Sequence, residues 1–284
     1  MATMNPPVDP VLAEQISKHS LFKDSCNPRI INASLFLDDT RNCPAMLGRV
    51  AVTALQHGKY TNSVQHELII AKLACLDDAR KAVDHAVICL ERTIRKKGDP
   101  VGKPDADNKP PSPPPPPPRP KTSKDAVRKV SNSFSSGKNS AADTLRSYHQ
   151  TNSPDESERT FEILCEMTFS VNGDDIFLVE DLATMGKVIS ASAPEYNFTS
   201  TMCYWFAGSL MEMASLEKAG MFTFKKFRTK GKAGMLAGTI PGFEPKPSQQ
   251  VPALRAQYAE SWELYRGEIY MANQVSSSYV IVNG

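Results

Sequence analysis

A proline-rich stretch limits how this sequence can fold. Large apolar residues become sparse from Asp99 to Asp155, and the stretch contains Pro110, Pro111 and the uninterrupted run Pro113–Pro118. Consecutive prolines favour an extended left-handed helix without internal hydrogen bonds, so this stretch supplies no core of its own. The serine-rich, basic residues that follow are typical of a solvated segment. We predict a disordered linker over 99–155, between one domain at 1–98 and another at 156–284.

The proline run also matches known ligand patterns. Pro114, Pro117 and Arg119 have the spacing of an SH3 ligand, and successive prolines suit the grooves of WW domains or profilin. A short match of this kind arises easily in any proline run. We therefore favour a stiff spacer and keep an SH3, WW or profilin-type partner as the alternative.

Composition indicates a reduced intracellular environment and gives no general argument for nucleic-acid or membrane binding. The 284 residues carry a formal net charge of only +2. The six cysteines lack CxxC pairs, the first residues do not resemble a signal peptide, and no apolar run approaches the roughly 18 residues of a membrane span. We expect a cytoplasmic or nuclear protein that is not secreted.

Residues 1–98 suggest an all-α bundle. Asp9 followed by Pro10 is a good helix start, and Gly58 is suited to ending a helix that opens at Pro44. A further helix is expected from Asn62. The strongest prediction is a helix from Asp77 to Lys97, whose acidic start and basic end complement the helix dipole. Its apolar stripe consists of Val83, Val87, Leu90 and Ile94.

Residues 1–98 also contain candidate metal ligands. His85 and Cys89 would lie one helical turn apart, and His66 is a further candidate. A structural zinc site needs four ligands, and no other pair supplies the rest. We predict no metal site and no cofactor, with the histidines at the surface or satisfied in the core, and with Cys75 and Cys89 as core residues.

Residues 156–284 indicate a small α+β domain. Apolar residues alternate from Phe161 to Val171, which predicts a strand with one buried face that includes Cys165. Other predicted elements are a helix over 175–192, a helix from about Thr199 through Cys203 to Lys218, a strand over 221–227, a helix from Pro252, and a closing edge strand at 279–282.

The predicted strand at 221–227 leads into a basic segment, residues 225–232. It lacks the glycine and Ser/Thr spacing of a phosphate-binding loop and contains no recognised reader of nucleic acid. We interpret it as a flexible basic loop and keep nucleic-acid binding as a second alternative function.

Cys203 is the only candidate nucleophile that the sequence offers. A thiolate in the first turn of a helix is stabilised by the positive end of the helix dipole, as in cysteine hydrolases and acyltransferases. Such enzymes pair the thiol with a histidine. None of the five histidines lies between Gln150 and Gly284, so a base would have to come from residues 1–98 or be His149. We therefore favour a core role for Cys203, Trp205 and Phe206, packed on the strand at 161–171.

The block Tyr196-x-Phe198-x-Ser200-x-x-Cys203-Tyr204-Trp205-Phe206-Ala207 resembles a CYWFA helix-start motif of an uncharacterised family in mushroom-forming fungi. The resemblance covers residues 160–240 and implies no established activity. More remotely, the block is similar to the cysteine helix of papain-like proteins of the lecithin–retinol acyltransferase type. That resemblance implies a histidine on an early strand before the cysteine helix, and the strand at 161–171 has none.

The sequence as a whole favours a non-catalytic interaction or scaffold protein with a proline-rich linker. A papain-like, cysteine-dependent hydrolase or acyltransferase that uses Cys203 is the alternative.

Overall fold

A computed structural model describes the part of the chain that contains the sheet and its helices. The Pro114, Pro117 and Arg119 pattern lies outside the described residues. The described ranges are 9–22, 29–30, 43, 46–60, 66–94, 139–149, 161–172, 175–196, 203–227 and 250–282.

The fold is built on one antiparallel sheet with the strand order β1-β5-β4-β3-β2-β6-β8, and β7 pairs with the end of β5. The long strands β2, β3, β4 and β5 form a meander in which each strand pairs with the next. The strands are β1 (Arg29–Ile30), β2 (Val50–Tyr60), β3 (Glu67–Leu76), β4 (Ala82–Ile94), β5 (Asn139–His149), β6 (Phe161–Phe169), β7 (Glu195–Tyr196) and β8 (Phe222–Lys226).

The longer helices in the described part of the chain are α1 (Pro10–Lys18), α2 (Val179–Ser192), α3 (Cys203–Glu217) and α4 (Val251–Val282). The last three pack together, with α2 and α3 against the sheet, whereas α1 contacts the short 3-10 helix at Ser20–Phe22. The main contacts of α3 are with β3, β4, β2 and the other two C-terminal helices. Among the described residues, no helix has both the length and the apolar character needed to cross a bilayer.

The main core lies between the sheet and these helices. Side chains alternate across a strand, so Ile69, Ala71, Leu73 and Cys75 of β3 all enter the core that contains Phe206 of α3. By the same alternation Glu67, Leu55 and His57 belong to the helix-covered face. Polar residues at one end of this face adjoin the start of α3.

The predicted N-terminal bundle is wrong, because three of the helices expected there are strands. Residues 50–60, 67–76 and 82–94 form β2, β3 and β4, and only α1 is helical as predicted. Asp9 does cap α1, with its Oδ1 accepting a hydrogen bond from the N–H of Val11 at 2.9 Å. Gly58 lies inside β2 at an irregularity in the pairing with β6 and does not end a helix.

The acidic pair at 77–78 begins a hairpin turn instead of a helix. The backbone N–H of Asp77 donates to the carbonyl oxygen of Lys81 (2.9 Å), and the Asp77 carbonyl accepts the N–H of Arg80 (3.0 Å). The Oδ1 of Asp77 also accepts the N–H of Lys81 at 2.8 Å. Arg80 adopts φ +61°, which closes the turn between β3 and β4. The apolar residues of β4 are spaced four, three and four positions apart. This spacing matches the period of a helix, but the segment forms a strand.

The predicted linker needs a similar correction at its C-terminal end. Residues 139–149 form β5, which pairs with β4 along most of its length. The rest of the predicted linker, apart from these residues, lies outside the described ranges. Because β2 pairs directly with β6, the sheet draws strands from both segments that were predicted as separate domains.

The C-terminal predictions agree better with the structure. The strand at 161–169, the helices α2 and α3 and the strand β8 are confirmed, and α4 starts at Val251. The predicted edge strand at 279–282 is wrong, because the backbone continues as helix α4 to Val282. The expectation that α3 packs on the strand at 161–171 is also corrected, since its main strand contacts are with β3, β4 and β2.

Candidate functional site

The thiol of Cys203 lies where the first turn of α3 meets the start of β3. Its Sγ accepts a hydrogen bond from the backbone N–H of Glu67 at 3.4 Å. Cys203 is the first residue of the helix, and the first N–H groups of a helix have no acceptor within it. The thiol therefore faces two sources of positive electrostatic potential, the Glu67 N–H and the helix start. Only 4% of Cys203 is exposed.

His66 supplies the imidazole next to this thiol. It immediately precedes β3, and its ring lies within hydrogen-bonding reach of Cys203. Burial alone would lower the pKa of His66, but hydrogen bonds and charge interactions with Cys203 and Glu91 outweigh it and raise the pKa to about 9. At neutral pH the ring is therefore an imidazolium close to the sulfur.

Glu91 completes a Cys–His–Glu arrangement. Its Oε2 lies 3.4 Å from Nε2 of His66, and its Oε1 accepts a hydrogen bond from the Tyr60 hydroxyl at 3.0 Å. Burial opposes ionisation of Glu91, but His66, Tyr60 and the charge of Arg146 together lower its pKa. Tyr60 also stacks on His66, with ring centroids 5.9 Å apart. Both the carboxylate and the imidazole are therefore held in place from more than one side.

A second polar cluster occupies the helix-covered side of the same region. Nε2 of His57 lies 2.6 Å from Oε2 of Glu67, and Nζ of Lys59 lies 3.7 Å from Oε1 of the same carboxylate. These three side chains are almost completely buried. Cys165, the residue opposite His57 on β6, is within hydrogen-bonding reach of the ring. Burial would lower the pKa of His57, but Cys165 and Glu67 raise it to about 9.

Arg92 holds the first turn of α3 against the sheet. It is fully buried, pairs with Asp143 at 3.1 Å and hydrogen bonds to the backbone oxygen of Ala193. Its guanidinium lies 5.4 Å from the ring centre of Trp205, two residues after Cys203. The indole N–H of Trp205 in turn donates to Oε1 of Gln250 at 3.1 Å. Strands, α3 and the start of α4 are thus joined near the thiol.

The environment of Cys203 differs from that of an ordinary core cysteine. Cys75 is completely buried among apolar residues, and burial raises the pKa of its thiol to about 12. Cys203 is similarly buried but has an imidazolium, a backbone N–H and a helix start around its sulfur. These are the conditions under which a cysteine acts as a nucleophile at neutral pH.

The structure supplies the histidine that the sequence reasoning did not find. The sequence left residues 1–98 and His149 open as sources of a base without singling out one histidine, and His66 was named only as a possible metal ligand. His66 and Glu91 both come from residues 1–98, far along the chain from Cys203. A usable signal was the β-branched, apolar run that follows it, which predicts a strand and would place His66 at a strand end.

The other predicted site residues that the structure describes do not form part of this arrangement. Lys225 and Lys226 are exposed at the end of β8, and residues 228–232 of the basic loop lie outside the described residues. His85 and Cys89 are four residues apart on a strand, about 13 Å along the chain, so they cannot act as the helical ligand pair considered above. No group of three or more potential metal ligands occurs within the described ranges.

Comparison of the chain with protein-family models, with curated proteins and with solved structures finds no match.

Proposed function

We propose that the protein is a cysteine-dependent hydrolase or acyltransferase in which Cys203 is the nucleophile. The observation that carries this proposal is the convergence of Cys203, His66 and Glu91 at the start of α3. Nucleophilic cysteine enzymes need a thiol, a basic group within hydrogen-bonding reach and a third group that orients the base. Catalytic hydrogen bonds are often long before substrate binds, which accommodates the 3.4 Å separation of His66 and Glu91.

In the proposed reaction the Cys203 thiolate adds to the carbonyl carbon of an ester, thioester or amide. The His66 imidazolium then transfers its proton to the leaving oxygen, sulfur or nitrogen as the bond to the acyl carbon breaks. This leaves a thioester on Cys203 and a neutral His66. Neutral His66 next takes a proton from water or an acceptor alcohol or amine, whose oxygen or nitrogen displaces the sulfur.

Each neighbour has a defined role in this scheme. Glu91 orients the His66 ring and stabilises its charged form, while Tyr60 fixes Glu91. The side chain of His66 is 23% exposed, compared with 12% for Glu91 and 4% for Cys203, so we propose that substrate approaches the thiol from the His66 side.

The resemblance to papain-like acyltransferases supports the same proposal. It implies a histidine on a strand that precedes the cysteine helix in the chain. His66 directly precedes β3 and comes before α3, which fits that order. Membership of the fungal family with the CYWFA motif is a separate proposal, and it adds no activity.

Thiol labelling tests the nucleophile assignment without knowledge of the substrate. The full-length protein is treated with limiting iodoacetamide at pH 6.5, and the modified fraction of each cysteine is measured by peptide mass spectrometry. Cys203 should react faster than the half-buried Cys89, which serves as the internal control although it is more accessible. If Cys203 reacts no faster than Cys89, the assignment is wrong.

Acyl transfer is tested with activated esters. p-Nitrophenyl acetate and longer-chain homologues should produce a burst of p-nitrophenol and a mass increase of one acyl group on the intact protein. The Cys203→Ala variant should show neither, whereas Cys89→Ala should behave as the wild type. Acylation that persists in Cys203→Ala would place the reaction elsewhere.

We also propose, independently, that the proline-rich tract binds a protein partner of the SH3, WW or profilin type. The run around Pro114, Pro117 and Arg119 supports it. The test measures binding of the full chain to a panel of these domains. Binding should be lost in a Pro114→Ala, Pro117→Ala variant. Absence of any tract-dependent binding would contradict this proposal and leave the stiff-spacer interpretation.

A further inference from the structure

We propose that the buried cations Lys59 and His57 are positioning residues for Cys203. They contact the Glu67 carboxylate and, through it, keep the thiol of Cys203 and the ring of His66 in their relative positions. The inference rests on the proposed function of Cys203. It concerns residues of β2 and β3 that have no direct part in the reaction scheme.

The geometry depends on His66 and Glu67, two consecutive residues whose side chains are held on different sides of β3. The Glu67 side chain is held on the helix-covered side by His57 (2.6 Å) and Lys59 (3.7 Å). Successive side chains of a strand point to opposite faces, so the preceding His66 reaches Glu91 on the other side. The peptide N–H between them donates to Sγ of Cys203. Fixing the Glu67 carboxylate therefore fixes both the N–H and the start of the His66 side chain.

The charge of the cluster acts in the same direction as its geometry. His57 and Lys59 bring two basic side chains to one carboxylate, and the backbone N–H of the same glutamate contacts the thiol. His57 is held in its charged form because Cys165 and Glu67 raise its pKa to about 9, despite the opposing effect of burial. A buried positive charge favours the nearby thiolate more strongly than the same charge in water would.

Several other titratable or charged groups face this region and also contribute to the electrostatic potential there. The pKa of Tyr204 is raised by burial and by the charges of Cys203 and Glu67, so its hydroxyl stays neutral. The remaining groups are His66 before β3, Glu91 on β4, Arg146 on β5, and Cys165 on β6. Lys59 and His57 both contact the Glu67 carboxylate.

A purely structural role would give a different result from a positioning role. If Lys59 only filled and neutralised the interior, its loss would loosen the fold and expose Cys203, which would increase alkylation at all pH values. If Lys59 supports the thiolate, its loss should slow alkylation at low pH and leave the maximal rate at high pH unchanged. The pH profile of Cys203 alkylation therefore separates the two roles.

The test compares Lys59→Met with Lys72→Met in the full-length protein. Lys72 is on the same sheet, half-exposed and paired with Glu166, so its substitution removes the same charge from a different place. Iodoacetamide rates at Cys203 are measured from pH 5 to 9, with circular dichroism as the check on folding. We expect an approximately tenfold lower rate at pH 6 for Lys59→Met, an unchanged plateau, and a wild-type profile for Lys72→Met.

If Lys59→Met does not fold, a second variant tests the same proposal. His57→Gln keeps a hydrogen-bond donor to Glu67 but removes the other cation, and it should shift the profile in the same direction. A wild-type profile in a folded Lys59→Met or His57→Gln protein would overturn the proposal. Failure of both variants to fold would also overturn it, since the pair would then serve the fold itself.

These outcomes are distinguishable from failure of the proposed function. If Cys203 of the wild type is no more reactive than Cys89, the proposed function is wrong and the inference falls with it. If wild-type Cys203 is highly reactive and both cluster variants match it, only the inference is wrong.

Discussion

The backbone N–H of Glu67 points at the sulfur of Cys203 from a distance of 3.4 Å, although the two residues are 136 positions apart in the sequence. This contact links the start of β3 to the start of α3. It also places His66, the neighbour of Glu67, beside the thiol. Two chain segments that carry no joint motif thereby form one chemical site.

Substitution of His66 should reduce the reactivity of Cys203 at neutral pH. An opposite charge within about 4–6 Å favours the ionised form of a group by a factor of about ten or more. His66→Gln removes this charge and keeps a polar side chain of similar length. We expect the rate of Cys203 alkylation at pH 7 to fall at least about tenfold, measured by peptide mass spectrometry.

The matched control for this variant is His85→Gln, because His85 is an exposed histidine of β4. It should leave the alkylation rate unchanged. Equal rates in wild type and His66→Gln would show that the imidazole does not influence the thiol. Glu91→Gln should give a smaller decrease than His66→Gln, because Glu91 acts through the ring.

Substitution of Arg92 should be strongly destabilising. Arg92→Met leaves the carboxylate of Asp143, itself almost completely buried, without its cation, and removes the guanidinium from the face of Trp205. Breaking a buried ion pair from one side typically costs about 3–5 kcal/mol. Urea unfolding should therefore show a decrease of this size in the free energy of unfolding.

An exposed ion pair provides the comparison for Arg92. Arg49 contacts Asp78, whose side chain is 84% exposed, and such pairs contribute about 1 kcal/mol or less. Arg49→Met should thus change stability far less than Arg92→Met. A second substitution, Asp143→Leu, should recover part of the loss in Arg92→Met. If Arg92→Met lowered the free energy of unfolding no more than Arg49→Met does, the contacts of Arg92 with Asp143 and Trp205 would not contribute to stability.

The difference between predicted and observed folds has a specific physical origin in the long strands. Residues of β3 are buried on both faces over most of the strand, so they form a continuous apolar run without the alternation that identifies a half-exposed strand. In β4, Val83, Val87, Leu90 and Ile94 matched a helical period by chance. The alternating set that enters the core is Ala86, Ile88 and Leu90. Local periodicity could not decide between these patterns, because the pairing of β3 with β4 is a tertiary interaction.

The C-terminal elements were easier to predict because each carries local signals. The strand β6 alternates clearly between buried and exposed residues near its end, and α2 and α3 are bounded by turn residues. The same contrast applies to the site. The position of Cys203 at a helix start was predicted from neighbouring residues. His66 and Glu91 could not be assigned to it, because they approach the thiol only when the meander and α3 pack together.

The pair of His57 and Glu67 should make stability depend on pH. Despite burial, Cys165 and Glu67 raise the pKa of His57 to about 9 in the folded protein, compared with about 6.5 when unfolded. The folded state therefore binds more protons in this window, and its stabilisation is fully present below pH 6.5 and is lost as the pH rises to about 9. The full contribution is on the order of 3 kcal/mol.

His57→Gln should flatten the fall in unfolding free energy between pH 6.5 and 9. His66 has a similarly raised pKa, so about half of the fall should persist in this variant. His85→Gln is again the control and should retain the whole slope. Urea unfolding at pH 6, 7.5 and 9 measures the effect, and an unchanged slope in His57→Gln would contradict a charged His57–Glu67 pair.

Glu180 should produce a separate pH dependence at lower pH. It is completely buried at the start of α2, where its Oε1 accepts the N–H of Gly48 at 3.0 Å and its Oε2 has no hydrogen-bond partner among the described residues. Burial raises its pKa to about 7, assisted by the charge of Asp181 and opposed by the Gly48 hydrogen bond. The folded state thus favours the protonated acid.

This raised pKa gives the opposite of the usual carboxylate behaviour. Because the folded state binds the extra proton, the contribution of Glu180 to the free energy of unfolding should fall as the pH rises from about 4.5 to 7 and then level off. Glu180→Gln keeps an oxygen for Gly48 and cannot ionise, so it should remove this fall. It should be more stable than the wild type at pH 8 by up to about 3 kcal/mol. Glu263→Gln, at a highly exposed position on α4, is the matched control and should leave the curve unchanged. A wild-type pH profile in Glu180→Gln would mean that Glu180 does not titrate in this window.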